Sequence, residues 1–314
     1  MDAIRIGTRA SALARWQTDE IVRMWRAREP GLAVEIVDLT TAGDDLPDAP
    51  LERMEGTGFF TSTLERALLS GLIDVAVHSL KDLPVAATPG LVLAAIPARG
   101  PVEDVLCARA GSTLATLASG ARVGTSSLRR IAQLRALRAD LDCVPLRGNV
   151  PTRLERVARG ELAAVVLARA GVERLGLTDC VSEVFALERM LTAPAQGALA
   201  VQARAGDRAL LFALAPLDHA PTRRAVVAER AVLHALRGGC SVPVGAHARS
   251  EGDRVTVDAG VFAPSGLNPL RVRREGRDPA ATGEAAAQAL LAAGADAILA
   301  ELDREPRVAW EAPR

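Results

Sequence analysis

The chain has 314 residues, 49% of them apolar and 24% charged, with 38 basic residues balanced by 38 acidic ones. That length exceeds one ordinary core, and the charge balance leaves no field for gripping a nucleic-acid backbone or an anionic membrane. The longest apolar runs, such as residues 91–97, fall far short of the ~20 residues of a spanning helix, and the start lacks the basic region of a secretory signal, so a cytosolic globular protein is expected.

Residues 4–7 alternate as a strand, and Ser11 caps a helix whose apolar face includes Leu13, Trp16, Ile21, Met24 and Trp25. Residues 33–39 read as a second strand, 61–69 as a helix and 73–78 as a third strand. Beyond the proline-punctuated stretch 84–89, residues 91–96 form another. This alternation predicts parallel sheets with helices on both faces. The order then recurs. Residues 122–127 lead into a helix with Leu128, Ile131, Leu134 and Leu137 on one face, much as residues 5–11 lead into the first helix. A helix headed by Leu154 and ending near Gly160, followed by strand 162–167, echoes the helix around Leu64 and strand 73–78. A duplicated architecture holding a ligand between its halves is expected, with the second copy shorter. Residues 191–216 fit no single unit. From about Pro221 the texture changes to a helix (223–236), alternating segments (254–261 and 270–274) and an alanine-rich helix (280–293) stopped by Gly294, which is the pattern of a small α+β domain.

A single lysine, Lys81, stands among the basic residues, and there is no tyrosine. In an arginine-biased chain the one retained ammonium is a candidate for chemistry that a planar, permanently charged guanidinium cannot perform. Polar groups also gather where the predicted strands end, the usual ligand position in open α/β sheets. They are Thr8-Arg9-Ala10-Ser11, His78-Ser79-Leu80-Lys81-Asp82, Thr125-Ser126-Ser127-Leu128-Arg129-Arg130, and Arg147-Gly148-Asn149 with Arg153 nearby. A small-residue turn opening a helix favours an anion by about 0.3–1 kcal/mol, and arginines in a first turn are out of place unless an anion sits among them. The clusters together predict a ligand with several carboxylates or phosphates, with Asp82 a candidate charged catalyst.

No phosphate-binding fingerprint accompanies them: Gly56-Thr57-Gly58 lacks a third glycine, and the histidines have no metal-ligand spacing, so no metal is expected. Cys107, Cys143, Cys180 and Cys240 form no C-x-x-C pair, and neither a disulfide framework nor a zinc site is signalled. Cys240 differs from the others, because Gly238-Gly239-Cys240-Ser241 reads as a loop that another group can approach closely, and an arginine-rich cleft favours a thiolate. The residues alone leave two readings open. One is an enzyme with an Asp–Lys pair and a covalent cysteine; the other is a non-catalytic cytosolic sensor of a polycarboxylate metabolite.

Four strings in this order resemble the porphobilinogen deaminase (hydroxymethylbilane synthase) family: D-V-A-V-H-S-L-K-D-L-P at 74–84, V-G-T-S-S-L-R-R at 123–130, L-R-G-N-V at 146–150 and G-C-S-V-P-V-G at 239–245. The resemblance runs nearly end to end. It implies an α/β protein of three domains. The first two resemble lobes of type II periplasmic binding proteins (1–98 plus 198–217, and 103–192), and the third is a small α+β domain (220–314). It implies a stepwise head-to-tail condensation of four porphobilinogen molecules with loss of ammonia, then hydrolytic release of hydroxymethylbilane on the route to haem and other tetrapyrroles. The family carries a dipyrromethane cofactor on a loop cysteine through a thioether, here Cys240. Asp82 matches the catalytic aspartate. Arg9, Arg129, Arg130, Arg147 and Arg153 match arginines that bind acetate and propionate side chains. Ser11, Ser79, Lys81, Thr125, Ser126, Ser127, Gly148, Asn149 and Gln196 fall at further cleft positions, and Arg174 at a more peripheral one. Many relatives carry lysines in a lid loop where Arg53 and Thr57 stand here, near Phe60. A weaker lid grip, or one supplied elsewhere, is the expectation. Ala195 stands before Gln196-Gly197 where glycine is common. A cytoplasmic monomer with porphobilinogen as its partner, and neither nucleic acid nor membrane, completes the expectation.

Overall fold

The computed structural model describes residues 3–39, 62–236 and 242–304. A first unit is laid down as β1 (Ile4–Thr8), α1 (Ala12–Arg26), β2 (Val34–Asp38), α2 (Ser62–Leu69), β3 (Val75–Ser79) and β4 (Leu91–Ala95). The chain then crosses to a second unit. That unit comprises β5 (Asp104–Ala108), β6 (Arg122–Gly124), α3 (Leu128–Leu137), β7 (Asp142–Val144), α4 (Val150–Ala158), β8 (Ala164–Ala168), α5 (Arg169–Arg174) and β9 (Val181–Val184). It returns with β10 (Leu199–Arg204) and α6 (Arg208–Leu214). The C-terminal unit holds α7 (Ala220–Ala235), β11 (Val244–Glu251), β12 (Arg254–Val261), β13 (Leu270–Gly276), α8 (Pro279–Ala292) and α9 (Ala295–Arg304).

The first sheet has the order β2-β1-β3-β10-β4 and the second β7-β6-β8-β5-β9. In the first, β1 runs parallel to β2 and β3, while β10 runs antiparallel to both its neighbours. In the second, β6 runs parallel to β7 and β8, while β5 is the antiparallel member. The expectation of wholly parallel sheets is therefore corrected. Each sheet contains one reversed strand, and it is the strand formed just after the chain crosses from the other unit. A crossing segment arrives at the carboxyl ends of the parallel strands, so the strand it feeds runs away from them. This is also why residues 191–216 resisted assignment: β10 is far in sequence from the sheet it completes.

The duplication extends to single residues. Gly7 pairs with Val37 and Ala76, and Gly124 pairs with Val144 and Val165. A Cβ at Gly7 would lie 2.4 Å from Ile73 Cδ1, and one at Gly124 2.7 Å from Leu162 Cδ1. Each glycine thus admits the apolar residue that precedes the neighbouring strand. Both faces of each sheet are buried, as expected of strands reading as continuous apolar runs. In β5, Val105 and Cys107 enter one core and Leu106 the other. In β3, Val75 and Val77 face one core and Ala76 the other.

Two helix faces differ from their apolar periodicity. In α1, Ile21 and Trp25 are fully buried, but Trp16 is 37% exposed and lies beneath the Arg174 guanidinium of the second unit, 5.5 Å from its ring centre. In α3, Arg129, Arg130 and Gln133 are buried, whereas Leu128, Ile131 and Leu137 are only half-buried. That helix turns polar atoms inward because they meet a buried carboxylate and backbone carbonyls there. The C-terminal sheet, β11-β12-β13, is antiparallel throughout, and α7 and α8 close its core around Val232, Val257, Ala286 and Leu290. β11 went unread in the sequence. Among the described residues no helix is long and apolar enough to cross a membrane.

Candidate active site between the two lobes

The candidate residues sit at the carboxyl ends of the parallel strands: Arg9 after β1, Ser79 to Asp82 at the end of β3, Thr125 to Ser127 after β6, and Arg147 to Asn149 after β7. The Leu80–Asp82 segment is one turn of 3-10 helix, anchored by the fully buried Leu80. Arg230 of α7 holds it from beneath, donating to the carbonyls of Leu83 (3.0 Å) and Pro84 (2.5 Å). Gln17 of α1 donates to Ser79 Oγ at 2.8 Å. Held at these points, the turn leaves Asp82 exposed and Lys81 half-buried.

Lys81 begins a polar chain that runs through both crossovers. Its Nζ donates to Gln196 Oε1 at 3.3 Å, and Gln196 Nε2 donates to Asp104 Oδ1 at 2.9 Å and to the Val102 carbonyl at 2.8 Å. Asp104, with no exposed surface, accepts from Arg129 Nη1 (2.7 Å) on one oxygen and from Arg130 Nη2 (2.7 Å) on the other. Arg129 also donates to the Leu191 carbonyl and Arg130 to that of Val166. Burial pushes the Asp104 carboxyl up, but the two guanidiniums outweigh it and hold the group well below the usual carboxylate range. Burial lowers Lys81 to about 8; Asp82 and Asp104 oppose this shift while Arg130 and Arg129 add to it. Arg153 is lowered to about 10 by burial and by Arg130, with Asp82 opposing. The lone lysine of the composition is thus an ammonium whose proton is held loosely, among cations contributed by the opposite lobe.

The other candidates divide by what their polar atoms already do. Ser126 Oγ both donates to the Leu146 carbonyl and accepts the Leu146 N–H, tying the β6 turn to the loop after β7. Asn149 caps α4 through Thr152, Ser11 caps α1 through the Ala14 N–H, and Thr125 Oγ1 accepts the Ser127 N–H. Gly148 supports its turn at a φ of 95°. These five shape the loops. Ser127 precedes α3 without spending its hydroxyl on a cap, Arg153 donates to Gly148 O, and Arg147 makes no hydrogen bond or ion pair among the described residues. Arg9 is half-buried at the mouth of its strand. Arg174 bridges the lobes, donating to the Gly197 carbonyl at 2.6 Å. Cys240 and the lid residues Arg53, Thr57 and Phe60 lie outside the described residues.

Two functional residues were missed in the sequence. The anion expected among the first-turn arginines of α3 is, for Arg129 and Arg130, the protein's own Asp104. An acid opening an apolar strand, Asp104-Val105-Leu106-Cys107, was the available signal. The second is Glu229, fully buried in α7. It accepts both Nη atoms of Arg99 (2.6 and 2.9 Å), the Ala195 N–H (2.6 Å) and the Ala248 N–H (2.7 Å). It joins both crossovers to the C-terminal unit. Ala195 adopts a φ of 62° there, and a Cβ at Gly197, two residues on, would lie 2.5 Å from the Pro101 carbonyl oxygen.

Two similar α/β lobes, a cleft in which cations outnumber Asp82 and Asp104, and a third unit braced on the crossovers define a two-lobed protein built to hold a polycarboxylate beside an exposed acid. Residues 4–211 match the family model described as porphobilinogen deaminase, dipyromethane cofactor binding domain, and residues 223–292 match porphobilinogen deaminase, C-terminal domain. The chain is similar to the porphobilinogen deaminase of Roseiflexus castenholzii, at 47% identity over 95% of this chain and 99% of that one. It is likewise similar to that of Moorella thermoacetica (47%, over 96% and 97%) and that of Thermobifida fusca (49%, over 86% and 84%). The chain belongs to the porphobilinogen deaminase family. Membership at this length does not favour the sensor reading.

The residues fit a dipyrromethane, whose side chains are carboxylates. Lys81 and Arg153 are cations depressed by burial and like-charge neighbours, and a bound carboxylate relieves both costs at once.

Proposed function

We propose that the chain condenses four porphobilinogen molecules head to tail, releasing ammonia at each addition, and frees hydroxymethylbilane by hydrolysis, with a dipyrromethane held as a thioether on Cys240. The observation that carries this reading is the Lys81–Gln196–Asp104–Arg129/Arg130 chain, which ties the turn bearing exposed Asp82 to buried cations of the other lobe. The dipyrromethane, when bound, supplies the nucleophilic pyrrole carbon and the tether.

The protein's own groups supply charge and position. The Asp82 carboxylate accepts the pyrrole N–H of the incoming substrate and offsets the positive charge that grows on its nitrogen as ammonia leaves, an interaction stronger in the transition state than before it. Lys81, with Arg9, Arg147 and Arg153, receives acetate and propionate groups, for which bidentate guanidinium is the better shape and Lys81 the adjustable one, while Arg129 and Arg130, held on Asp104, add the N–H groups that Asp104 and the backbone carbonyls leave over. Ser79, Thr125, Ser126, Gly148, Asn149 and Ser11 hold the loops on which these cations stand. Gln196 transmits position between the Lys81 turn and Asp104. Arg174 sets the spacing of the lobes. The lid residues Arg53, Thr57 and Phe60 complete the cleft in this reading. We divide the chain into 1–98 plus 198–217, 103–192 and 220–314, a reading that three separate sheets support, and we assign the protein to the cytoplasm as a monomer.

The assay is ammonia release and linear tetrapyrrole formation from porphobilinogen by the purified protein. Both products are expected in a ratio of four ammonia to one tetrapyrrole. Binding of porphobilinogen without either product contradicts the proposal.

A further inference from the structure

Two sulfurs that sequence spacing left unrelated meet in the second lobe. Cys107 lies in β5 and Cys180 in the one-turn 3-10 helix Thr178–Cys180 that leads into the edge strand β9. Cys107 pairs in register with Val181, the residue after Cys180, at an irregularity of the β5–β9 ladder. That irregularity brings the two Sγ atoms to 3.3 Å. The inner sulfur is buried, with Cys107 only 1% exposed, while Cys180 is half-buried at the edge and also points its thiol at the Leu177 carbonyl, 2.9 Å away. The third described thiol, Cys143 in β7, has no such neighbour among the described residues.

We propose that Cys107 and Cys180 are a reversible dithiol–disulfide pair, an oxidisable staple between β5 and the turn that feeds β9. The partially accessible sulfur takes the oxidant and the buried one resolves it. With hydrogen peroxide as oxidant, the Cys180 thiolate attacks one peroxide oxygen, giving a sulfenic acid and, after protonation, water. The Cys107 sulfur then attacks the Cys180 sulfur, expelling the sulfenic oxygen as a second water. Two thiols lose two electrons and two protons, and one peroxide becomes two waters. Access sets that order of attack, since the Cys180 sulfur is half-buried at the edge and the Cys107 sulfur is buried; contact with Cys180 and burial push the Cys107 thiol up, while contact with Cys107 lowers Cys180.

The pair lies apart from the catalytic cluster. Strand alternation turns Val105 and Cys107 to one face of β5 and Leu106 to the other, with Asp104 in phase with Leu106. Oxidation therefore stiffens the lobe without displacing Arg129 or Arg130. It closes a long loop, for which cross-linking restricts the unfolded chain most.

The test uses the full-length, cofactor-loaded protein, treated with hydrogen peroxide, quenched with catalase, and analysed by thiol counting after denaturation and by non-reducing peptide mapping. Two thiols should disappear, a linked Cys107–Cys180 peptide should appear, and dithiothreitol should restore both thiols. The unfolding midpoint of the oxidised form should rise by ~5 °C or more, with turnover within about two-fold. In Cys107→Ser, Cys180 should instead proceed to the sulfinic acid with no cross-link. A parent protein that gives no Cys107–Cys180 peptide, or whose Cys180 reaches the sulfinic state as readily as in Cys107→Ser, overturns the proposal.

Discussion

In the proposed reaction the chemistry turns on Asp82, an exposed carboxylate on a turn fixed by Leu80 beneath and by Arg230 from α7. Asp82→Asn keeps size and an acceptor but removes the charge. If the charge acts chiefly as ammonia departs, KM should change little while kcat falls by roughly 10²–10⁴. Asp82→Glu, which moves the charge by one methylene, should lose less. Steady-state kinetics on cofactor-loaded protein decides this, and turnover of Asp82→Asn within about three-fold of the parent contradicts the assignment. Asp104 makes a contrasting prediction. It is fully buried and spent on two guanidiniums, and Asp104→Asn leaves Arg129 and Arg130 buried with their charge uncompensated, at a cost of about 3–5 kcal/mol. Denaturant unfolding should therefore register Asp104→Asn strongly and Asp82→Asn hardly at all. Equal stability losses in the two variants contradict this separation.

At the scale of elements, the crossover 192–198 carries the most constraint. Ala195 has no exposed surface and holds a left-handed backbone while its N–H feeds Glu229. Ala195→Gly relieves backbone strain but gives up a buried methyl and adds unfolded-state freedom, so its stability should stay within about 1 kcal/mol of the parent. Ala195→Val puts a β-branched side chain at the same φ in a closed site and should cost more than ~2 kcal/mol, read by chemical denaturation. A valine variant as stable as the parent contradicts the account of a strained, closed backbone at Ala195. The elements themselves were largely legible. α1 and α8 carry their caps locally, α2 and β3 their apolar patterns, and each falls within a residue or two of expectation. α4 begins at Val150, four residues before the Leu154 expected to head it, because Asn149 and Pro151 mark its start more firmly than its apolar stripe does. The reversed direction of β5 and β10 was not legible, because a buried strand reads alike in either direction. The inward polar face of α3 was likewise hidden, since its partner Asp104 lies 25 residues from Arg129. Of the candidate site, the strand-end clusters were visible as local charge anomalies. The internal chain that joins them through Gln196 and Asp104 depends on long-range closure.

For the whole molecule, Glu229 is the knot that ties both crossovers to the C-terminal unit. Burial pushes its carboxyl up, but Arg99 and His247 outweigh this and hold it at about 2. A carboxyl depressed on folding stabilises above its unfolded value of 4.5, and that contribution is lost as pH falls from 4.5 toward 2. Glu229→Gln strands the Arg99 guanidinium, 9% exposed, and should lower the unfolding midpoint at neutral pH by roughly 5–15 °C. It should also flatten the acid limb of the stability profile, and an unchanged midpoint and acid limb contradict the account of the knot. Such a brace fixes the C-terminal unit to both crossovers, which the proposed cofactor tether at Cys240 needs. The central claim is that tether. Intact and peptide mass spectrometry of the protein purified from cells making porphobilinogen tests it most directly. The account predicts a chain heavier by two pyrrole units, with the addition mapped to Cys240 and absent from Cys240→Ser. An active protein of unmodified mass, or an adduct that persists in Cys240→Ser, contradicts it.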